Sequence, residues 1–335
     1  MKVGRLVLKV VKQLSIFLVL IVGFIAVIYF GARLLLSATG HDLSSHPAPA
    51  ADYADAVARF EKLSSSEAPA VNPVARSVLL THGVRAPKVV VFFHGYSSSP
   101  QQFRSLGERF FQLGYNVLIP LLPHHGLADR KLDNLSRIRA EELRDCADTS
   151  VDIAAGLGDK ICVGGLSAGG VLAAWIAENR KEVSRVLLIA PALVLGRRAG
   201  SFSDRVAVFL IAWVPGLPFD IYAPDPEAPE YAYPGFSAKA LGQLLKFSLA
   251  TYGEALEKPA AVQHIDLVTT AIDHLGSDFA TWKLIGFWRA KGLRQFVSID
   301  FPKKMKVPHD MVDPAHQGQK TDVVHPVLVD LMNAP

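Results

Sequence analysis

The chain has 335 residues, of which 50% are hydrophobic and 20% are charged, and its formal net charge is +4. This composition is typical of a globular protein and excludes a disordered chain. Nucleic-acid binding is not indicated, because the net charge is small and the predicted domain contains no long basic run. The two cysteines, Cys146 and Cys162, form no Cys-x-x-Cys motif, so we expect free, buried thiols rather than a zinc or redox site.

An uncharged apolar segment, residues 14–32, is just long enough to cross the hydrocarbon core of a membrane as a helix. Several basic residues precede this segment, whereas only Arg33 follows it closely. Residues 1–36 are therefore predicted to be a cytoplasmic basic tail and a transmembrane anchor, with the rest of the chain outside the cytoplasm, in the periplasm if the source is bacterial. A cleaved signal peptide is the alternative, but the apolar stretch is long and no clean cleavage site follows it.

Residues 37–75 are rich in Ala, Ser and Pro, which predicts a linker. Within this segment Tyr53, Val57, Phe60 and Leu63 recur at helical spacing. The spacing indicates a short amphipathic helix that packs either on the following domain or on a membrane. The pattern does not decide between these two positions.

From about residue 76 onward, short apolar runs alternate with helical segments, which predicts a mostly parallel sheet with helices on both faces. The predicted strands are residues 89–93, 115–121, 160–164, 185–190, 265–270 and 293–299. The predicted helices are residues 99–113, 135–157, 168–179 and 277–290. A proline-rich interruption at about residues 192–260 predicts a mostly helical cap, inserted after a strand of a domain that spans residues 76–335.

The first of these helices carries recognisable start and stop signals. Ser99 is the predicted N-cap, Pro100 stands at the first helical position, and Gln102 stands where a capping box requires Glu or Gln. Gly114 predicts the end of the helix.

A Gly-x-Ser-x-Gly motif, formed by residues 165–169, is the most informative motif in the chain. An apolar strand leads into it and a helix leads out of it, which is the context in which a nucleophilic serine is presented at the carboxyl edge of a sheet. Ser167 is therefore the candidate nucleophile. The alternative is a glycine-rich turn that binds a phosphate or only packs.

The sequence His94-Gly95-Tyr96 follows another predicted strand. In this arrangement the backbone N–H of Tyr96 and that of Ala168, the residue after the nucleophile, would form an oxyanion hole. For the His94 side chain we expect a structural role, as a hydrogen-bonding partner of the loop.

The chain resembles the monoacylglycerol lipase and serine-aminopeptidase-like branch of the α/β-hydrolase superfamily over about residues 76–330. The residues that carry the resemblance are His94-Gly95-Tyr96-Ser97, Phe103, Leu122-Pro123-His124-His125-Gly126 and the serine motif. His124 is a departure, because relatives often have glycine there. A metal site at His124 and His125 is not indicated, since the spacing supplies no third ligand. The resemblance implies an α/β-hydrolase fold with a helical cap and a Ser-His-Asp triad.

The acid of such a triad follows the serine in the chain and precedes the histidine. Asp273, in a turn after the predicted strand 265–270, matches the turn in which the family carries its acid. Asp278 is the alternative, although a carboxylate there also suits a helix N-terminus. Asp300 follows the wrong strand.

The resemblance places the general base in the loop after the last predicted strand. His309 is the first histidine in that loop, and His316 and His325 come later, toward the C-terminal helix. We therefore expect His309 to be the base.

These residues predict a serine hydrolase that cleaves carboxylic esters through an acyl-enzyme and requires no metal or organic cofactor. Apolar residues of the predicted cap and the predicted anchor favour lipid-derived esters, such as a monoacylglycerol or a lysophospholipid. Those cap residues are Phe209, Leu210, Ile211, Trp213, Leu217 and Phe219. Peptidase or acyltransferase activity on the same triad and a catalytically silent, membrane-anchored binding protein are the alternatives. The oligomeric state is not predicted.

Overall fold

A computed structural model of the chain describes residues 15, 21–27, 29, 31, 43–67, 70–193, 220–222, 229–273 and 278–334. The chain divides into two units, residues 1–41 and residues 42–335. In the first unit residues 21–27 are helical. Nine of the 19 residues of the predicted anchor, residues 14–32, lie outside the described residues, and none of the helices described is both long and apolar enough to span a membrane.

The second unit is built on one seven-stranded sheet. The strands of the unit are β1 (Val78–Leu80), β2 (Ala86–Phe93), β3 (Asn116–Ile119), β4 (Gly158–Leu166), β5 (Val183–Ile189), β6 (Asp220–Tyr222), β7 (Gly235–Ser237), β8 (His264–Thr270) and β9 (Gln295–Phe301). The large sheet has the order β1-β3-β2-β4-β5-β8-β9 and is parallel except for β1, which pairs antiparallel with β3. The short strands β6 and β7 form a separate antiparallel pair.

Helices cover both faces of this sheet. They are α1 (Tyr53–Glu67), α2 (Arg104–Gln112), α3 (Leu132–Leu135), α4 (Ala140–Leu157), α5 (Ala168–Asn179), α6 (Ala238–Glu257), α7 (Asp278–Ala290) and α8 (Thr321–Asn333). Successive side chains of a strand point to opposite faces, so β2 contributes Val89 and Val91 to the core beneath α4, α5 and α7, and Val90 and Phe92 to the core beneath α2 and α8. Burial on both faces explains why the central strands β2 and β5 are mostly apolar.

Two helix predictions differ from the structure near the helix N-termini. The predicted helix 135–157 is divided in the structure, where α3 ends at Leu135 and α4 begins at Ala140. The break includes Arg139, whose backbone is extended (φ −121°, ψ 149°) and whose N–H donates to the Glu142 carboxylate at 3.0 Å. Near residue 99, a 3₁₀ turn precedes α2. The Ser99 side chain makes no capping hydrogen bond, so the predicted capping box is wrong and the Gln102 side chain bonds elsewhere.

Residues 43–67 pack on the rest of the second unit, which differs from the linker that their composition predicts. The Ala48 N–H donates to Asp152 Oδ2 at 3.0 Å and the His46 N–H donates to Asp148 Oδ2 at 2.7 Å. Arg180, fully buried, forms ion pairs with both carboxylates at 2.7 and 2.5 Å. Helix α1 then lies so close to α4 that a Cβ at Gly156 would be 2.3 Å from the Asp52 carbonyl oxygen. The amphipathic helix therefore packs on the domain.

Only part of the predicted cap is described. Helix α6 includes the apolar stretch 241–249, and its Phe247 ring packs on Trp175 of α5 with ring centroids 5.5 Å apart. The stretch 206–214 and the six apolar cap residues named above lie outside the described residues. Both cysteines are free, with Cys162 buried and Cys146 half-buried.

A buried carboxyl group makes the stability of the fold depend on pH. Glu178 in α5 accepts a hydrogen bond from the Trp288 indole, and burial raises its pKa from the ordinary value of 4.5 to about 7. The folded state therefore binds this proton more tightly than the unfolded state does. The contribution to stability is complete below pH 4.5 and is lost as the pH rises through about 7.

We predict that Glu178→Gln stabilises the protein at pH 8 by up to about 3 kcal/mol and has little effect at pH 4.5, because glutamine keeps an acceptor for Trp288 but never ionises. Urea unfolding at both pH values measures this difference. Glu61→Gln, at an exposed position of α1, is the matched control and is expected to have the same small effect at both. An equal effect of Glu178→Gln at the two pH values would contradict the prediction.

Candidate active site

Ser167 lies in a strained turn between β4 and α5. Its backbone has φ 56° and ψ −112°, a region that non-glycine residues rarely adopt and that costs about 1–3 kcal/mol. Two neighbouring glycines permit the turn. A Cβ at Gly165 would lie 2.1 Å from the Gly169 carbonyl oxygen, and a Cβ at Gly169 would lie 2.0 Å from the Phe93 carbonyl oxygen. The predicted strand–turn–helix around the serine is therefore present, and both flanking positions require glycine.

Backbone hydrogen bonds hold this turn against the sheet. The Ser167 N–H donates to Ile189 O at 3.0 Å, and the Ala192 N–H donates to Ser167 O at 3.1 Å. Ala168 is the first residue of α5, and the N–H groups of a first helical turn have no intrahelical acceptor. The positive end of the helix dipole is therefore adjacent to the serine, a position that favours developing negative charge.

The loop after β2 lies beside the serine. A Cβ at Gly95 would be 3.7 Å from Ser167 Cβ, which is ordinary van der Waals contact. His94 is fully buried, and its Nε2 accepts the Leu122 N–H at 3.1 Å, so Nδ1 carries the proton and donates to Gly95 O at 2.8 Å. Burial keeps the pKa of His94 well below its ordinary value. The neutral ring fixes the loop, which is the structural role expected for it.

Tyr96 is held from two sides. His125 Nε2 lies 2.5 Å from the Tyr96 carbonyl oxygen. On the other side, the Tyr96 hydroxyl donates to Ser237 O at 3.2 Å and accepts the Ser237 N–H at 3.1 Å. The loop that carries the predicted oxyanion donor is thus connected both to the His125 loop and to β7.

His124, where relatives often have glycine, has a left-handed backbone with φ 63°. Glycine adopts this conformation without a steric cost, whereas histidine does not. His124 Nε2 lies 3.2 Å from Glu142 Oε2, a polar contact that offsets part of the strain. Among the residues described, no group of three or more His, Cys, Asp or Glu side chains could hold a metal ion.

The structure brings Asp273 and His309 together. Asp273 lies in the turn after β8, and His309 lies in the loop after β9. His309 Nδ1 lies 2.7 Å from Asp273 Oδ2, and the carboxylate is almost buried while the imidazole is 17% exposed. A carboxylate only accepts hydrogen bonds, so Nδ1–H is the donor and Nε2 is left to accept a proton.

The alternative acids and bases make other contacts. His316 accepts the Gly318 N–H at 3.2 Å, and His325 Nε2 lies 2.8 Å from Val312 O inside the core. Asp300 accepts a hydrogen bond from the Thr269 hydroxyl at 2.8 Å. Asp278 begins α7, and its side chain lies outside the described residues. Among these candidates, the described contacts pair only His309 with Asp273.

Two residues of the site were missed by the sequence analysis. Gln102 Oε1 accepts the Gly95 N–H at 2.7 Å, and Gln102 Nε2 donates to Asp310 Oδ2 at 2.9 Å. Asp310 directly follows His309. The only signal in the sequence was the Gln102 position after Ser99, which indicated a capping box and not a long-range contact.

The strain at Ser167 gives a testable difference in stability between two variants of this residue. We predict that Ser167→Gly is more stable than Ser167→Ala by about 1 kcal/mol, because relief of strain exceeds the entropy that glycine loses on folding. Urea unfolding of both variants measures the difference. At Ser184, in the ordinary strand β5, the glycine variant is expected to be the less stable one. The same order at both positions would contradict the prediction.

Residues 90–316 match the model of the alpha/beta hydrolase family. The match covers more than half of the chain and includes Ser167, Asp273 and His309. The chain therefore belongs to the α/β-hydrolase family, in agreement with the sheet order, the helices on both faces and the strained serine turn.

Several of the proteins to which the chain is similar are named as lipases or lipolytic enzymes. The thermostable monoacylglycerol lipase of Bacillus sp. (strain H-257) is 24% identical over 190 residues, which are 53% of this chain and 69% of that protein. The monoacylglycerol lipase structure from Paleococcus ferrophilus superposes with a TM-score of 0.57 at 18% identity, over 76% of this chain and 97% of that one. A structure from work on LipS and LipT, two metagenome-derived lipolytic enzymes, gives a TM-score of 0.56 at 19% identity, over 78% and 98%. At these identities the structural likeness establishes the fold.

Proposed function

We propose that this protein is a serine hydrolase that cleaves carboxylic esters through Ser167, His309 and Asp273. The observation that carries the proposal is the His309–Asp273 hydrogen bond of 2.7 Å. It lies after β8 and β9, at the carboxyl edge of the sheet whose strand β4 ends in the strained serine turn. Parallel strands end at the same edge, where α/β folds carry their active sites.

The proposed reaction begins with proton transfer from the Ser167 hydroxyl to His309 Nε2 as the serine attacks the ester carbonyl. The Tyr96 and Ala168 N–H groups stabilise the oxyanion of the tetrahedral intermediate. Its collapse transfers the proton from His309 to the leaving alcohol and leaves an acyl-enzyme. Water, activated by the same imidazole, then attacks the acyl carbon, releases the acid and restores the serine.

Asp273 has two roles in this proposal. Its hydrogen bond to Nδ1–H selects the tautomer in which Nε2 is the acceptor. Its side chain is only 6% exposed, so little water screens its attraction for the imidazolium that forms during the reaction. Both effects lower the barrier without any proton transfer to the carboxylate.

Lipid-derived esters, such as a monoacylglycerol or a lysophospholipid, are the proposed substrate class. Two of the similar proteins are monoacylglycerol lipases. The apolar segment of the first unit gives independent support, since a protein held at a membrane meets such esters at high local concentration.

We predict that Ser167→Ala, His309→Gln and Asp273→Asn each lower kcat for a medium-chain acyl ester by about 10⁴-fold or more, and that combining them adds little, because the three residues act as one unit. A fluorescent fluorophosphonate is expected to label the wild type and not Ser167→Ala. His82→Gln, at an exposed histidine stacked on Phe111, is the matched control and is expected to keep full activity.

Absence of labelling and of ester cleavage in the folded wild type would overturn the proposed function and favour the silent binding protein. Amide cleavage faster than ester cleavage would favour a peptidase. Acyl transfer to an added alcohol in excess of hydrolysis would favour an acyltransferase.

We also propose that residues 14–32 anchor the protein in a membrane, with the hydrolase domain outside the cytoplasm. Support comes from the first unit, where Ile21, Val22, Phe24 and Val27 have exposed side chains. Exposed apolar side chains in succession are costly in water and stable in lipid.

The proposed anchor predicts that the full chain, expressed in a bacterial host, stays in the membrane pellet after an alkaline carbonate wash. Phe24→Arg/Val27→Arg is expected to shift the protein to the supernatant, because charges at a membrane centre cost several kcal/mol. Val84→Arg, at a position 61% exposed on the second unit, is the control. Complete extraction of the wild type would contradict the anchor.

A further inference from the structure

Gln102 connects two loops that have different roles in the proposed reaction: the loop after β2, which carries the oxyanion donor, and the loop after β9, which carries the general base. Its Oε1 accepts the Gly95 N–H at 2.7 Å, beside the predicted oxyanion donor Tyr96. Its Nε2 donates to Asp310 Oδ2 at 2.9 Å, beside the predicted base His309. An amide has one acceptor end and one donor end, so these two partners fix its orientation.

The Gln102 end of this connection is buried, and the connection spans a long distance in sequence. Gln102 is 3% exposed, and the Gln102–Asp310 bond joins residues that are 208 positions apart. One loop follows β2 and the other follows β9, at the far edge of the sheet. Because the Gln102 side chain is buried, little water competes for its amide.

Asp310 is itself held by its surroundings. Burial raises its pKa, while the charges of His309 and His316 oppose that rise. Nearby, Asp313 accepts a hydrogen bond from the hydroxyl of Tyr231. The hydrogen bond from the Gln102 amide also opposes the rise in the Asp310 pKa, because it stabilises the ionised carboxylate.

From these contacts we infer that Gln102 and Asp310 form a positioning strut, which sets the separation between the oxyanion loop and His309 during ester hydrolysis. The inference rests on the proposed function. Neither residue is a catalytic residue, because each acts through its neighbour: Gln102 through the Gly95–Tyr96 backbone and Asp310 through His309. A displacement of about 1 Å between reacting groups can cost about 10²-fold in rate.

The test uses the full chain, with active sites counted by fluorophosphonate so that kcat is expressed per functional serine. Gln102→Met keeps the length of the side chain but loses both hydrogen bonds. We expect kcat to fall by about 10- to 100-fold while KM changes by less than about twofold, because alignment and not substrate binding is lost. Gln101→Met, at the neighbouring half-buried glutamine, is the matched control and is expected to behave as the wild type.

Variants at Asp310 distinguish the effect of its hydrogen bond with Gln102 on kcat from the effect of its negative charge. Asp310→Asn retains an oxygen that accepts from Gln102 Nε2, and kcat is expected to stay within about threefold of the wild type. Asp310→Ala removes the acceptor and is expected to match Gln102→Met. The double variant Gln102→Met/Asp310→Ala is expected to be no slower than either single variant, because both break the same strut.

The outcomes are distinct. A wild type that cleaves no ester and takes no label overturns the proposed function itself. An active wild type with an unchanged kcat in Gln102→Met overturns the strut alone. Equal losses in Asp310→Asn and Asp310→Ala overturn it as well, since charge and not the hydrogen bond would then matter. If Gln102→Met does not fold, Gln102→Glu, which keeps the acceptor for Gly95 but repels Asp310, is expected to show the same loss in kcat.

Discussion

The close packing of backbone around Ser167 is the constraint on which the rest of the site depends. The path of the chain at Gly169 leaves no room for a side chain against the end of β2. This approach brings the loop of Gly95 and Tyr96 into contact with the serine, and it aims the N-terminus of α5 at the same point. The positive φ of Ser167 is the local cost of that arrangement, and the packing of two buried strands and a helix supports it.

The described part of the cap contacts both loops of the proposed site. Tyr96 exchanges two hydrogen bonds with Ser237 of β7, and Tyr231 donates to Asp313 in the loop that carries His309. The Tyr233 N–H also donates to Ser97 O at 2.7 Å. These contacts connect residues 229–237 both to the loop of Tyr96 and to the loop that carries His309.

Much of this architecture could be predicted from the sequence, because its signals are local. Parallel strands that are buried on both faces are apolar runs, and helices on a sheet have an apolar face, so the alternation of elements is visible without a structure. The candidate residues follow from the same order: Ser167 ends β4, Asp273 follows β8 and His309 follows β9. Parallel strands then bring these three loops to one edge.

The features that were not predicted depend on polar contacts between distant residues. Residues 43–48 have the composition of a linker, yet Asp148 and Asp152 accept backbone N–H groups of this segment, and Arg180 forms ion pairs with both carboxylates. The local sequence around Gln102 likewise indicates a helix cap. Its hydrogen-bond partners, however, are Gly95 in the loop after β2 and Asp310 in the loop after β9. Such bonds satisfy buried polar groups whose neighbours exist only after the sheet has formed. The local sequence therefore specifies which side chain lies in each loop, and the order of the strands in the sheet specifies which distant residues that side chain contacts.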